Sequence, residues 1–390
     1  MRSASRSHLG LFLLLLVFAS GLGLSTSLRG VAQAAGPHIG LSQKVGPPTT
    51  SVQVNGAGFG HSEPVLVDVD TTQVGAATTD ATGKFVVRIT VPKSALPGTH
   101  AVRATGQSSG LTALALFLVQ VDWTQFHFGL HHKGYNPYEN VLTPSNVSAL
   151  TRDWSYTTGG SIVSSPAVAG GLVYVSSADH KLYALHAVTG TRKWSYTTGY
   201  TIYSSPAVAN GVVYVGSDNY KLYALDAMTG ALKWSYTTGG PIDSSPAVAN
   251  GVVYVGSFDD KLYALDAMTG ALKWSYTTGS IGSSPAVAGG VVYVGSADNK
   301  LYALDAVTGT RKWSYTTGSF IQSSPAVANG VVYVGSSDDK LYALDAVTGR
   351  RKWSYTTGGY IESSPAVANG VVYVGSFDDN VYAFHLPGMS

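Results

Sequence analysis

The 390-residue sequence contains no cysteine and few charged residues, and both shortages limit what the protein can do. Without cysteine there can be no disulfide framework, thiolate nucleophile, iron–sulfur cluster or cysteine-linked lipid anchor. Charged residues make up only 12% of the chain and the formal net charge is +2, so electrostatics give no reason to expect nucleic acid as a partner. The sequence also lacks a phosphate-binding glycine loop, a Ser-His-Asp arrangement and the ligand spacing of a zinc site. What it has in abundance is glycine (46) and tyrosine (24), which together favour strands joined by tight turns.

Residues 1–34 have the features of an export signal. Arg2 and Arg6 precede an uncharged apolar run over residues 9–24, and Ala32-Gln33-Ala34 offers a small-residue cleavage site. The apolar run is short for a membrane-spanning helix, so we favour a cleaved signal over a retained anchor. No later segment has the length and apolar character to span a membrane, and the mature protein is predicted to be secreted or to lie in the cell envelope.

Residues 37–120 contain six or seven short runs of alternating apolar residues separated by turn residues, which predicts a small β-sandwich. Gly56-Ala57-Gly58-Phe59-Gly60 and Pro97-Gly98-Thr99-His100 resemble segments of immunoglobulin-like modules on bacterial surface proteins. The resemblance implies an immunoglobulin-like spacer or adhesive domain without a catalytic role.

The rest of the chain is a repeat of about 40 residues. The phrase Trp-Ser-Tyr-Thr-Thr-Gly begins at Trp154, Trp194, Trp234, Trp274, Trp313 and Trp353. A typical copy contains four strand-like runs, and four antiparallel strands per unit are typical of a β-propeller blade. The fold class predicted is therefore all-β, with a six-bladed propeller of four-stranded blades over residues 152–390. A lead-in segment, residues 121–151, precedes it.

The two ends of the repeat array suggest how the ring closes. The array begins with an outer-strand phrase, residues 152–158, and ends with a third strand, residues 381–384, that lacks an outer partner. We therefore expect residues 152–158 to complete the last blade. Such a clasp would remove an open sheet edge that invites aggregation.

The phrase running from Ala224 to Trp234 (ALDAMTGALKW) resembles the tryptophan-docking repeat of PQQ-like, quinoprotein-type β-propellers. The resemblance implies that each of the six repeat tryptophans stacks on a turn peptide and bonds to the adjacent blade. Asp226 is expected to accept backbone N–H bonds in its turn. His186 and His385 replace this aspartate in the first and last copies, which predicts looser turns there. Residues 122–137 are similar to lead-in segments found before such propellers.

Some propellers of this type are quinone-dependent dehydrogenases. Such an enzyme would need a calcium-holding carboxylate and amide, an arginine near the quinone and a catalytic aspartate. The uniform repeats lack the divergent insertions that build such a pocket, so we predict no catalysis, no cofactor and no metal. The alternative is a PQQ-dependent alcohol or sugar dehydrogenase, which would require PQQ and calcium.

Two other groups of residues leave a metal role open. The aspartate pairs 259–260, 338–339 and 378–379 are predicted to form turns, with a weak calcium site as the alternative. His127, His131 and His132 cluster before the propeller, and structural roles are favoured over metal binding there.

Positions that differ among near-identical repeats are those the scaffold does not dictate. Variation concentrates just before each inner strand, where loops are expected to converge on one mouth of the central channel. The candidate binding residues are Tyr203, Asp243, Gln322, Glu362, Phe320 and Tyr360. The hairpin residues Tyr220, Phe258 and Phe377 are expected on the same face. Exposed aromatic residues of this kind are typical interface anchors.

The function predicted is that of an exported, monomeric binding or scaffolding protein that engages another protein or a surface glycan. Neutral drift at unconstrained loop positions is the alternative explanation of the variable columns, and a stalk without a ligand is the corresponding alternative function.

Overall fold

The structure, a computed structural model, describes residues 36–129, 131–132, 136–143 and 145–387. The predicted export signal, residues 1–34, lies outside these described residues. Apart from two short 3-10 turns, Phe126–Phe128 and Val147–Ala149, the regular structure is β-strand, as expected. None of the described residues belongs to a helix with the length and apolar character needed to cross a bilayer.

The N-terminal region forms two sheets around one core. Its strands are β1 (His38–Leu41), β2 (Val45–Gly46), β3 (Ser51–Ala57), β4 (Pro64–Val69), β5 (Thr72–Thr78), β6 (Phe85–Thr90), β7 (Gly98–Gly106) and β8 (Thr112–Val119). One sheet has the order β1-β3-β6 and the other β2-β8-β7-β4-β5. Alternate residues of β3, β4, β6, β7 and β8, such as Val52 and Val54 of β3, point into the shared core. This is the period-2 burial that the sequence predicts. The immunoglobulin-like assignment of this region remains a prediction.

The repeat region forms six sheets in chain order, one for each copy of the repeat. The first two blades contain β9 (Ala167–Ala169), β10 (Leu172–Ser177), β11 (Lys181–His186) and β12 (Arg192–Thr197), then β13 (Ala207–Ala209), β14 (Val212–Ser217), β15 (Lys221–Asp226) and β16 (Leu232–Thr237). The next two contain β17 (Ala247–Ala249), β18 (Val252–Ser257), β19 (Lys261–Asp266) and β20 (Leu272–Thr277), then β21 (Ala286–Ala288), β22 (Val291–Gly295), β23 (Lys300–Asp305) and β24 (Arg311–Thr316). The last two contain β25 (Ala326–Ala328), β26 (Val331–Ser336), β27 (Lys340–Asp345) and β28 (Arg351–Thr356), then β29 (Ala366–Ala368), β30 (Val371–Gly375) and β31 (Val381–Phe384). The innermost strands of successive blades lie side by side, which arranges the blades around an axis.

Local sequence explains the shape of one blade. The innermost strand β13 begins only after Pro206, which has no N–H to contribute to a sheet ladder. Asn210 and Gly211 both have positive φ, +49° and +74°, as a two-residue hairpin turn requires. The strands that follow, β14 and β15, are almost completely buried because neighbouring blades cover both of their faces.

The hydrophobic core lies between blades rather than within them. Tyr174, Leu182 and Trp194 of the first blade pack against Val213 and Leu225 of the second. The same cluster recurs at the following junctions. A single blade therefore leaves its apolar faces open, and stacking is what stabilises the array.

Five of the six repeat tryptophans dock as the resemblance implies. The indole N–H of Trp194 donates to the backbone oxygen of Ala227 at 2.9 Å, and the ring covers Gly230. A Cβ at Gly230 would lie 2.7 Å from that ring, and its φ is +74°, so only glycine fits there. The matching bonds join Trp154 to Ala187, Trp234 to Ala267, Trp274 to Ala306 and Trp313 to Ala346. Asp226 accepts the N–H groups of Met228 and Thr229, which confirms its predicted role in the turn.

Trp353 is the exception. Its ring is 39% exposed and packs edge-on against Phe384 at 5.0 Å. Within the described part of the chain, no group accepts a hydrogen bond from its indole. The sixth copy has no Asp-x-x-Thr-Gly turn after its third strand, so the docking peptide is missing.

The closing clasp expected from the sequence is not formed. Residues 152–158 adopt no strand, and the sixth sheet contains only β29, β30 and β31. Trp154 still docks on the first blade, through its 3.0 Å bond to Ala187, but the segment does not pair with the sixth sheet. Six blades are present as predicted, but the sixth has three strands and its outer edge is unpaired within the described residues.

Candidate functional site

In five of the six repeats, the loop that precedes the inner strand is held by one buried isoleucine. Ile202, Ile242, Ile281, Ile321 and Ile361 are all 0–1% exposed. In four of these loops the isoleucine fills the space left by a glycine of the preceding blade, as Ile361 does against Gly335. Its N–H also donates to that blade, for example from Ile361 to Ser336 O at 3.1 Å. Because the isoleucine points inward, the residues on either side of it are displayed outward.

A second set of backbone bonds brings the hairpin residues to the same face. The N–H of Phe258 donates to Pro241 O at 3.0 Å, and that of Phe377 donates to Tyr360 O at 2.9 Å. The first residue of each β-hairpin turn therefore lies beside the variable loop of its own blade. This places Phe258 and Phe377 with the variable columns, as expected.

A cavity of about 320 Å³ lies among these loops. Its lining residues are Asp243, Phe258, Ser280, Gly282, Ala297, Ile321, Gln322 and Glu362. They come from the third, fourth, fifth and sixth copies of the repeat, so the cavity depends on stacking of the blades. Asp243, Gln322 and Glu362, three of the six candidate residues, converge on it.

The other three candidates are exposed aromatic residues that do not line this cavity. Tyr203, Phe320 and Tyr360 are 46%, 37% and 53% exposed. Phe320 and Tyr360 stand two residues before Gln322 and Glu362, and Tyr360 packs against Phe377 with ring centroids 6.2 Å apart. Phe320, Tyr360 and Phe377 thus place exposed aromatic surface beside an acidic cavity, and Tyr203 and Tyr220, each 46% exposed, belong to the second copy of the repeat.

Asp243 faces a second carboxylate across a blade junction. Burial raises the pKa of Asp243 to about 7, and the hydrogen bond and negative charge of Asp218 act in the same direction. Two carboxylates can share a hydrogen bond only when one of them carries a proton. The pair therefore holds one proton near neutral pH, and above it the cavity gains a negative charge.

Asp218 is not among the candidate residues predicted from the sequence. The signal that could have identified its role is the first turn position of the hairpins, which varies strongly among the copies. The residues there are Ala178, Asp218, Phe258, Ala297, Ser337 and Phe377.

The aspartate at the second turn position of these hairpins, the first residue of each aspartate pair, has a structural role. Asp259 accepts the N–H of Gly239 and the hydroxyl of Tyr263, both at 2.6 Å. Asp338 and Asp378 make the equivalent bonds, and Asp260, Asp339 and Asp379 follow with positive φ at the turn. These contacts confirm the turn-forming role. No three His, Asp or Glu side chains within the described ranges are grouped to hold a metal ion.

The lead-in segment lies along the channel-facing edges of the inner strands. Trp123 bridges Val168, Thr124 O accepts the N–H of Val208 at 2.7 Å, and the Gln125 amide bonds both backbone groups of Val248. His131 O accepts the N–H of Val327 at 2.9 Å. One short segment thus contacts four blades, a path that its similarity to other lead-in segments does not by itself indicate.

His132, in the same segment, is 2% exposed. Burial lowers its pKa to about 3, and the nearby His127 and His131 act in the same direction. The neutral ring is therefore part of the folded contact between the lead-in segment and the blades.

Comparison with protein families supports the structural assignment. A family model described as outer membrane protein assembly factor BamB matches residues 199–284 and 277–387. A second, described as the β-propeller domain of glucose/ethanol/alcohol dehydrogenase, matches residues 123–204. The repeat region is a PQQ-like β-propeller.

Solved structures of similar fold include both kinds of PQQ-like propeller protein. BamB from Moraxella catarrhalis is 16% identical with a TM-score of 0.53, over 82% of this chain and 96% of its own. Quinohemoprotein alcohol dehydrogenase ADHIIG from Pseudomonas putida HK5 is 19% identical with a TM-score of 0.60, over 69% and 59%. The quinohemoprotein alcohol dehydrogenase from Comamonas testosteroni is 20% identical with a TM-score of 0.56, over 66% and 57%. This chain thus spans less than two thirds of either dehydrogenase. No curated protein sequence matches the chain significantly.

The mouth of this PQQ-like propeller does not fit the quinone-and-calcium set that the dehydrogenase resemblance implies. Carboxylate and amide groups are present in Asp243, Glu362 and Gln322, but no arginine is among the described residues that line the cavity. The carboxylates are not grouped with a third metal-ligating side chain in the described part of the propeller.

Proposed function

We propose that the protein is an exported, non-catalytic binding or scaffolding protein that engages a protein partner at the channel mouth. The observation that carries the proposal is the combination of an acidic cavity with exposed aromatic side chains on a face held rigid by buried isoleucines. The BamB-type family match to the repeat region supports a protein partner and a location outside the cytoplasm.

The chemistry of the mouth favours a partner with a basic side chain. Asp218, Asp243 and Glu362 place negative charge at or beside a cavity of about 320 Å³, which suits a lysine or arginine side chain. Phe320 and Tyr360, beside the cavity, add large aromatic surfaces of the type that anchors protein interfaces. A surface glycan would use the same aromatic faces but would gain little from the carboxylate pair.

The proposal is tested by binding to arrays of basic, acidic and neutral peptides and to a glycan array. Lysine- or arginine-containing peptides should be retained, and the triple variant Tyr203→Ala/Phe320→Ala/Tyr360→Ala should lose at least about tenfold in affinity. The matched control is Val188→Ala/Val307→Ala/Val347→Ala, which removes three side chains that are 81–86% exposed on the turns between the third and fourth strands. Equal loss in both triples, or retention of glycans alone, would contradict the proposal.

The dehydrogenase alternative has its own assay. The protein is incubated with PQQ and calcium, and dye reduction is followed with alcohols and sugars as substrates. Turnover that disappears in Asp243→Ala or Glu362→Ala would replace the binding proposal with an enzymatic one.

A further inference from the structure

The blades of this propeller are joined by a small set of repeated contacts. The isoleucine of one blade fits the glycine of the preceding blade at four junctions: Ile242 with Gly216, Ile281 with Gly256, Ile321 with Gly295 and Ile361 with Gly335. The serine before each proline bonds to its counterpart in the next blade: Ser165 to Ser205, Ser205 to Ser245, Ser245 to Ser284, Ser284 to Ser324 and Ser324 to Ser364, at 2.9–3.1 Å. Together, these contacts form the standard interface between neighbouring blades.

The repeated contacts stop at the sixth blade. A Cβ placed on Gly375 would meet only the side chain of Ser363, so the space that isoleucine fills elsewhere is open. The isoleucine that would fill it in a closed ring, Ile162, is 48% exposed, whereas its counterparts are 0–1% exposed. The serine series likewise ends at Ser364, with no bond to Ser165 among the described residues.

The outer face of the sixth blade is correspondingly uncovered. Tyr373 is 41% exposed, whereas Tyr174, Tyr214, Tyr254 and Tyr293 are at most 2% exposed and the fifth counterpart, Tyr333, is partly buried. Val381 is 81% exposed at a position where leucine is 0% exposed in the five other blades. This face has the shape and composition of a blade interface but no blade on it.

The complementary half-interface lies at the other end of the array. Residues 152–158 and Ile162 stand on the first blade, where Trp154 bonds Ala187 as an outer-strand tryptophan does. In the fifth blade the third strand pairs with the outer strand in the register Ala343↔Trp353, Tyr342↔Ser354 and Leu341↔Tyr355. By repeat equivalence, Ala383, Tyr382 and Val381 of β31 match Trp154, Ser155 and Tyr156. Within one chain these two halves do not pair.

We propose that the exposed face and edge of the sixth blade bind the first blade and residues 152–158 of a second copy of this chain. The occupant is a second copy because the two surfaces are the two sides of one repeated interface, separated at opposite ends of the array. The incoming segment adds a fourth strand beside β31, Ile162 enters the space at Gly375, and Tyr373 becomes buried. Such a head-to-tail contact is heterologous, so it builds chains of molecules or a larger closed ring. This differs from the monomer expected from the sequence.

The test uses the absence of native cysteine. The single variants Ile162→Cys and Gly375→Cys are oxidised separately and as a mixture, and the double variant is oxidised over a range of concentrations. Disulfide-linked dimers should form in the mixture well above the level in either single variant, and the double variant should give a ladder of multimers. Gly216→Cys/Ile242→Cys, at an internal junction where the two residues touch, is the positive control and should give a bridged monomer.

Two results would overturn the proposal. A bridged monomer from Ile162→Cys/Gly375→Cys at all concentrations means that the ring closes on itself, as the clasp predicted from the sequence would. No cross-linking under conditions where the internal control is bridged means that the surfaces do not meet at all. Light scattering gives a second measurement: Val381→Asp should reduce the mass of the otherwise unmodified protein to that of a monomer. Val188→Asp, at an equally exposed turn position, should leave the mass unchanged.

Discussion

The tryptophan contacts between blades allow a prediction with a matched control inside the same chain. Trp313 is 9% exposed, donates to Ala346 O at 3.0 Å and lies over Gly349, whereas Trp353 is 39% exposed and has no docking turn. The change is tryptophan to phenylalanine at either position. Trp313→Phe should destabilise the propeller markedly, and Trp353→Phe should have little effect.

The expected size of the effect follows from the interactions that the substitution removes. Removing the indole N–H costs about 0.5–1.5 kcal/mol, near the lower end because Ala346 O still accepts the Tyr293 hydroxyl at 3.0 Å. The smaller ring removes buried apolar contact at the blade junction, which adds about 1–2 kcal/mol. The total for Trp313→Phe is about 2–3 kcal/mol, and for the partly exposed Trp353 it is below about 1 kcal/mol.

Thermal and denaturant unfolding of the full chain measure this difference. All seven tryptophans lie at or after residue 123, so the fluorescence of the six that remain in either variant reports on the propeller and its lead-in segment. For a domain of this size the Trp313 variant should melt roughly 5–10 °C lower than wild type. Equal destabilisation by the two substitutions would contradict this prediction, since it would mean that docking on the turn peptide contributes nothing beyond ring burial.

Three further predictions concern the mouth, the lead-in segment and the docking turn. The pKa of Asp243 in the folded protein, about 7, exceeds the usual value of 3.8, so the contribution of Asp243 to stability falls as the pH rises from 4 to 7. Asp243→Asn should therefore be about 1–2 kcal/mol more stable than wild type at pH 8, after allowance for solvent screening, and equal to it at pH 4. Denaturant titration at the two pH values measures this difference. For His132 the pH dependence has the opposite sign, because its pKa in the folded protein, about 3, lies below the usual 6.5. Wild type should therefore lose stability relative to His132→Phe as the pH falls from 6.5 towards 3. A stability difference that does not change with pH would exclude this explanation. Gly349→Ala should cost at least about 2 kcal/mol in chemical unfolding, because its φ is +71° and the new Cβ would lie 2.6 Å from the Trp313 ring; a cost below about 0.5 kcal/mol would show that the turn adapts.

Much of the candidate site could be located from variation among the repeats. The loops at Asp243, Gln322 and Glu362 differ where the scaffold leaves them free, and the structure brings these three residues to one cavity. Asp218 lies in a second variable column, the first turn position of the hairpins, but variation alone does not show that it pairs with Asp243, because the two residues belong to different blades. The sequence also does not predict which of the six candidate residues line the cavity and which are exposed beside it, since this depends on the rotation between successive blades.

The blade could be predicted from the amino-acid sequence: its 40-residue period and Asn-Gly turns from the residues, and its tryptophan docking from the resemblance to PQQ-like propellers. Each of these depends on contacts within one repeat or with the next, and such contacts are encoded in every copy. How the array ends could not be predicted from the repeats and became visible in the folded molecule. Whether the first and sixth blades meet depends on the total rotation added up over all neighbouring blades. This total is a property of the whole array and cannot be predicted from one repeat. The course of the lead-in segment across four blades is decided in the same way, because the backbone groups that receive it come together only after the blades have stacked.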